Sequence, residues 1–150
     1  MNAAQLHLLF NHWPLVLVVI GFFVLFYGEW KSEMSYKNLG LLLLILAALF
    51  TIPTQLSGEG AEHILMEQNL AEHSRVEIHE ALGFWTAILT YSIGVLAFVS
   101  LLMIHNVHSF FTYLRQFVLI LAAGAIVLIA ITAHVGGEIR HTEIRLNNVE

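Results

Sequence analysis

Nine histidines and eleven glutamates stand in a chain of 150 residues that has neither cysteine nor aspartate. Imidazole nitrogens and carboxylates can ligate metal ions, hold a haem iron or pass protons. The densest group closes the last apolar run: His134-Val135-Gly136-Gly137-Glu138-Ile139-Arg140-His141. On a continuous helix His134, Glu138 and His141 sit at i, i+4 and i+7 and share one face. His7 and His12 lie near the start of the first apolar run. His79 opens the third, with Gly83 four residues later on the same face. Glycine at that spacing lets a flat ligand approach the backbone.

Two ligands suit such a set. A b-type haem needs one or two neutral imidazoles from different helices, an apolar slot and small residues beside the ring. The expected axial ligands are drawn from His12, His79, His134 and His141, with Gly83, Gly136 and Gly137 as the small residues. Glu80 and Glu138 could orient a ligating imidazole through its second nitrogen, and Arg140 could pair with a haem propionate. The alternative is a zinc, copper or iron ion caged by the same histidines, in a sensor or carrier. A third reading has no cofactor: a structural or assembly subunit whose histidines are polar residues at a membrane boundary. His63, His73, His105 and His108 are read in that plain way. The glycines would then only permit close helix packing, and the glutamates would be a solvated surface.

Several motifs stop short. His79-Glu80-Ala81-Leu82-Gly83 begins like a zinc-protease helix but lacks the second histidine. Glu138-Ile139-Arg140-His141 is a single Glu-x-x-His, where a di-iron bundle uses two. The absence of cysteine excludes disulfides, thiolate metal sites and c-type haem attachment. A net charge of −5 without basic clusters speaks against nucleic acid as a partner. The electron-carrying and accessory readings are favoured over a stand-alone enzyme.

The elements that must position these residues are membrane helices. The chain is 58% hydrophobic and 11% charged, too little charge for the surface of a soluble domain. The expected fold is all-α, one integral membrane four-helix transmembrane bundle over residues 1–150. Its spans are read at about 6–27, 39–56, 79–104 and 114–137, each near the ~20 residues that cross a bilayer. A polar, amphipathic surface segment is expected over 57–78, with Gly58 and Gly60 ending the second span. No positive charge precedes Lys31, so the first apolar run reads as a retained helix and not a cleaved signal. No internal repeat or low-complexity tract stands out.

Four spans put both termini on one side, together with seven of the nine histidines and nine of the eleven glutamates. Lys and Arg divide three and three, so the positive-inside count does not decide orientation. The acid-rich histidine side is read as the outer face of a bacterial inner membrane, with both termini periplasmic. Beyond the bilayer, the expected partners are quinol, an extracytoplasmic cytochrome, a larger membrane complex or a second copy of the chain.

His7-Leu8-Leu9-Phe10-Asn11-His12-Trp13-Pro14 is similar to the His-x4-His-aromatic-Pro opening of a family of small four-helix bacterial membrane proteins catalogued as a domain of unknown function. The likeness continues through the small-residue stretch Thr51 to Gly60 and His79, and closes on Gly136, Gly137, Glu138 and His141. It covers most of the chain. The Gly-Gly-Glu-to-His spacing is tighter than the family's and His134 is additional, so either His134 or His141 can take the family histidine's role. The family resembles membrane modules found beside or fused to cytochrome c-like domains. The resemblance therefore implies the four-helix fold and favours redox work.

Overall fold

The computed structural model describes residues 1–68, 71–104 and 109–141, with Arg140 given by its backbone. Among these residues there is no strand. Five helices follow one another: α1 (Ala3–Phe10), α2 (His12–Lys31), α3 (Met34–Glu67), α4 (His73–Leu102) and α5 (Ser109–Arg140). Four helical stretches are long and apolar enough to cross a membrane, with α1 and α2 forming the first together. The chain is a multi-pass membrane protein built as an all-α four-helix bundle.

The break between α1 and α2 falls at Asn11. Pro14 has no N–H to give the carbonyl of Phe10, so the helical ladder loosens one turn before it. Asn2 starts α1 with a reciprocal capping box to Gln5. The hairpin between α2 and α3 is two residues long. Ser32 sits in the left-handed region at φ 57°, and Glu33 N–H donates to the Gly28 carbonyl at 2.9 Å, closing the end of α2.

α3 is longer than its sequence suggests. It runs through Pro53, Gly58 and Gly60 to Glu67, where termination near Leu56 and a separate surface helix were expected. The Ser57 hydroxyl donates back to the Pro53 carbonyl one turn earlier, at 2.7 Å. The glycines act as packing residues. A Cβ on Gly60 would lie 2.6 Å from Ala3 Cβ, so its bare backbone lets α1 close on α3. α4 likewise begins at His73, and His79 lies six residues into it rather than at its start. α5 continues through Gly136 and Gly137 without a break. The turn read at His105–His108 lies outside the described residues.

In a bilayer the outer face of each helix is as apolar as the inner one, so tight packing rather than water exclusion selects the interior. Val18, Leu25, Leu41, Leu44, Ile93 and Val118 are fully buried, interleaved with Ala47, Ala97, Ala122 and Ala125. α2 and α3 approach closely at Gly40, where a Cβ would stand 2.5 Å from the Leu25 backbone nitrogen. Backbone cannot yield as a side chain can. Gly40→Val is therefore expected to destabilise the bundle by about 3 kcal/mol, read as earlier loss of helical signal on titration of the detergent-solubilised protein with SDS. An unchanged midpoint would contradict this packing.

Candidate functional site

His7 and His79 are the two histidines that meet inside the bundle. Their ring centres are 6.5 Å apart and their planes nearly perpendicular, at 86°. Each ring is half-buried. His7 comes from α1 and turns its Nδ1 to the Thr54 carbonyl of α3, at 3.0 Å. His79 comes from α4 and turns its Nδ1 to the Thr132 carbonyl of α5, also at 3.0 Å. A carbonyl can only accept, so both Nδ1 atoms carry the proton. In the neutral rings Nε2 is then the lone-pair nitrogen, and it is the one a metal would use.

The two halves of the site are built alike. Each threonine hydroxyl bonds back to the carbonyl four residues earlier, Thr54 to Phe50 at 2.9 Å and Thr132 to Leu128 at 2.8 Å. Each threonine is followed four residues later by a glycine, Gly58 and Gly136. A helical Cβ leans toward the preceding turn, so a side chain there would crowd the threonine carbonyl that the imidazole reaches. A Cβ on Gly136 would stand 2.8 Å from His79 Cε1, and one on Gly58 3.6 Å from the His7 ring. The sequence pattern repeats with the geometry. His7 and His79 are each followed six residues later by Trp13 and Trp85, and each Thr-x3-Gly runs on to a histidine five residues further, His63 and His141. The two halves thus share one local pattern of histidine, tryptophan, threonine and glycine.

The other expected ligands do not join this pair. His12 is exposed; it lies two residues before Pro14, whose face is buried with Val18 and Gly21, so it points the opposite way. His134 is two residues from both Thr132 and Gly136 and is likewise turned outward. It pairs with Glu138 at 3.5 Å on a largely exposed side chain. α5 ends at Arg140, so His141 lies just beyond it, and it is exposed. Glu138 is buried and accepts from Arg75, tying the start of α4 to the end of α5. Glu80 is exposed on an outer groove with Glu77, Phe84 and Trp85, so the orienting group for His79 is the Thr132 carbonyl rather than a glutamate. The Arg140 side chain lies outside what is described. His63 and His73 make exposed i,i+4 pairs with Glu67 and Glu77, of small energetic weight.

His7 was not among the expected ligands. The signal that could have found it is the shared His-x5-Trp spacing of the two halves. Asn11 adds a further polar atom. It lies one turn after His7, and its side-chain oxygen is buried without a hydrogen-bond partner. Gly83, the position equivalent to Asn11 in the second half, has open room, with the nearest atom to a Cβ being Gln55 Oε1 at 3.9 Å. Gly137 lies next to the glycine that receives the His79 ring.

Among the described residues no three histidine or acidic side chains converge in a cage fit for a metal ion. What converges is a pair of imidazoles. α1 packs on α3 and touches α2. No family model, curated protein or solved structure matches the chain.

Proposed function

We propose that this protein is a membrane-embedded b-type haem protein that transfers electrons at its histidine-bearing face, with His7 and His79 as the axial ligands. The observation that carries this reading is the matched pair itself. Two rings from the two hairpins are each anchored through Nδ1 to a threonine carbonyl and separated by 6.5 Å. Both Nε2 atoms are uncommitted. Haem, when bound, supplies a one-electron couple.

The remaining roles fall to this chain's own residues. Thr54 and Thr132 fix tautomer and ring orientation and raise ligand basicity. Gly58, Gly83 and Gly136 keep the surrounding surface free of side chains. The Arg75–Glu138 ion pair holds α4 against α5 beside His79. The likeness of the opening and closing motifs to a family that resembles modules found beside cytochrome c-like domains supports the same reading. On this reading the histidine face is the outer face of a bacterial inner membrane, both termini lie there, and quinol or an extracytoplasmic cytochrome exchanges electrons with the site.

The test is optical. Protein purified in mild detergent is expected to show a Soret band that shifts on reduction with dithionite. A colourless protein that also fails to take up added haemin would sink the proposal. Elemental analysis then decides the second reading, a metal ion on the two imidazoles. That reading is favoured by one observation only, the buried unpartnered oxygen of Asn11, which could supply a third ligand.

A further inference from the structure

At the opposite end of the bundle three charged side chains from three helices meet below the surface. Glu29 of α2 accepts from Arg115 of α5 through one carboxylate oxygen and pairs with Lys37 of α3 through the other, at 3.3 Å. The side chains of Arg115, Lys37 and Glu29 are only 7%, 13% and 16% exposed. Two cations face one anion, so the cluster carries a net charge of +1 (+2 − 1) in an apolar setting. Charged side chains so placed in a membrane bundle mark functional positions.

The hydrogen-bonding capacity is not filled. Arg115 uses Nε on Glu29 and Nη2 on the Thr112 hydroxyl at 3.3 Å, while Nη1 is buried with no acceptor. Among the described residues the ion-pair partner of Lys37 is Glu29. On the next residue of α3, the Asn38 side-chain oxygen is buried with no donor. Among the described residues the cluster therefore lacks one negative charge and an acceptor for the guanidinium. A buried N–H or C=O left in that condition costs stability.

The surroundings fix the depth. Tyr27, Trp30 and Tyr36 are exposed and pack on one another, with ring centres 4.9 Å apart for Tyr27–Tyr36 and 6.4 Å for Tyr27–Trp30. Lys31 lies over the Trp30 ring at 4.2 Å. Tyrosine and tryptophan gather where headgroups meet the acyl region. We propose that the Glu29–Lys37–Arg115 cluster binds the phosphodiester of an anionic glycerophospholipid, on the membrane face opposite the histidine pair. The phosphate brings the missing charge and the acceptor for Arg115. Lys37 and Glu29 are the less buried members and form the cluster's opening to the lipid.

Native mass spectrometry of the full chain, delipidated in detergent and offered equal phosphatidylglycerol and phosphatidylcholine, tests this. The wild-type protein is expected to retain phosphatidylglycerol over phosphatidylcholine by about tenfold. Arg115→Gln should remove that preference and Lys37→Gln should reduce it, with helical circular dichroism checking that each variant is folded. If Arg115→Gln does not fold, the wild-type ratio and Lys37→Gln still decide. Equal retention of the two lipids by the wild type, or an undiminished preference in the folded variants, overturns the proposal. Displacement of the lipid by millimolar inorganic phosphate would mean that a free oxyanion, not a lipid, is the occupant, and the lipid assignment would fall.

Discussion

Purified His79→Ala protein is expected to lose the Soret band of the native chain, and His7→Ala to lose it as well. His12→Ala, His134→Ala and His141→Ala are expected to keep it. The reason is positional. Each member of the inner pair keeps its Nε2 for a ligand, and among the described residues no third imidazole packs against the pair. Loss of even a supporting partner of a ligating histidine lowers metal affinity roughly 10–100-fold, and loss of the ligand itself should cost at least that. The variants should remain folded. His79→Ala removes a single hydrogen bond to the Thr132 carbonyl, worth about 1 kcal/mol. Haem content per helical protein, by pyridine haemochrome and circular dichroism on one sample, separates ligand loss from unfolding. Retention of haem by both inner-pair variants would remove His7 and His79 from the site. Loss of haem in His12→Ala alone would reinstate the outer histidine.

The fold was readable because four apolar runs of membrane-spanning length need no phase information. The site was only half readable, because ligands depend on phase. His12 was favoured by depth along its helix, yet depth says nothing about which side of the helix faces inward. In a soluble bundle the polar face would have marked the outside. Here the outward residues include Val16, Ile20, Phe23 and Phe26, as apolar as the core. The inward face is marked by size: Gly21, Gly28, Gly40, Ala47, Gly94, Ala97, Ala122 and Ala125 are all buried. Read by small residues, Pro14 and Gly21 would have set the phase of α2 and turned His12 outward. The same bias hid the extent of α3. Gly58 and Gly60 look like terminators, but in a packed bundle glycine is also the residue of close approach. His134 and Glu138 pair across one turn of α5; that His79 meets α5 at Thr132 and Gly136 required the three-dimensional contacts.

The two glycines behind the histidines make the sharpest test of the shared pattern, because equivalent substitutions should have unequal effects. Alanine at position 136 would place its Cβ 2.8 Å from His79 Cε1, and 3.1 Å from Nδ1, the atom that bonds the Thr132 carbonyl. Carbon atoms do not rest that close, so the ring must swing away and the Nδ1 bond lengthens or breaks. Alanine at position 58 would meet the His7 ring at 3.6 Å, an ordinary contact, and the bond to Thr54 would hold. Gly136→Ala is therefore expected to cost about 1–3 kcal/mol in overpacking and to lower haem occupancy by about tenfold through the lost orienting bond. Gly58→Ala should leave occupancy near that of the wild type and should gain a few tenths of a kcal/mol, since alanine replaces glycine inside a helix. SDS titration reads the stability difference whether or not haem is bound, and haemin titration reads the affinity difference. Equal effects of the two substitutions on both readouts would mean that the threonine carbonyls do not orient the rings, and that the pattern is a packing likeness only. A pure loss of stability at position 136 with unchanged haemin affinity would place His79 among the structural residues of the α4–α5 interface rather than at a ligand.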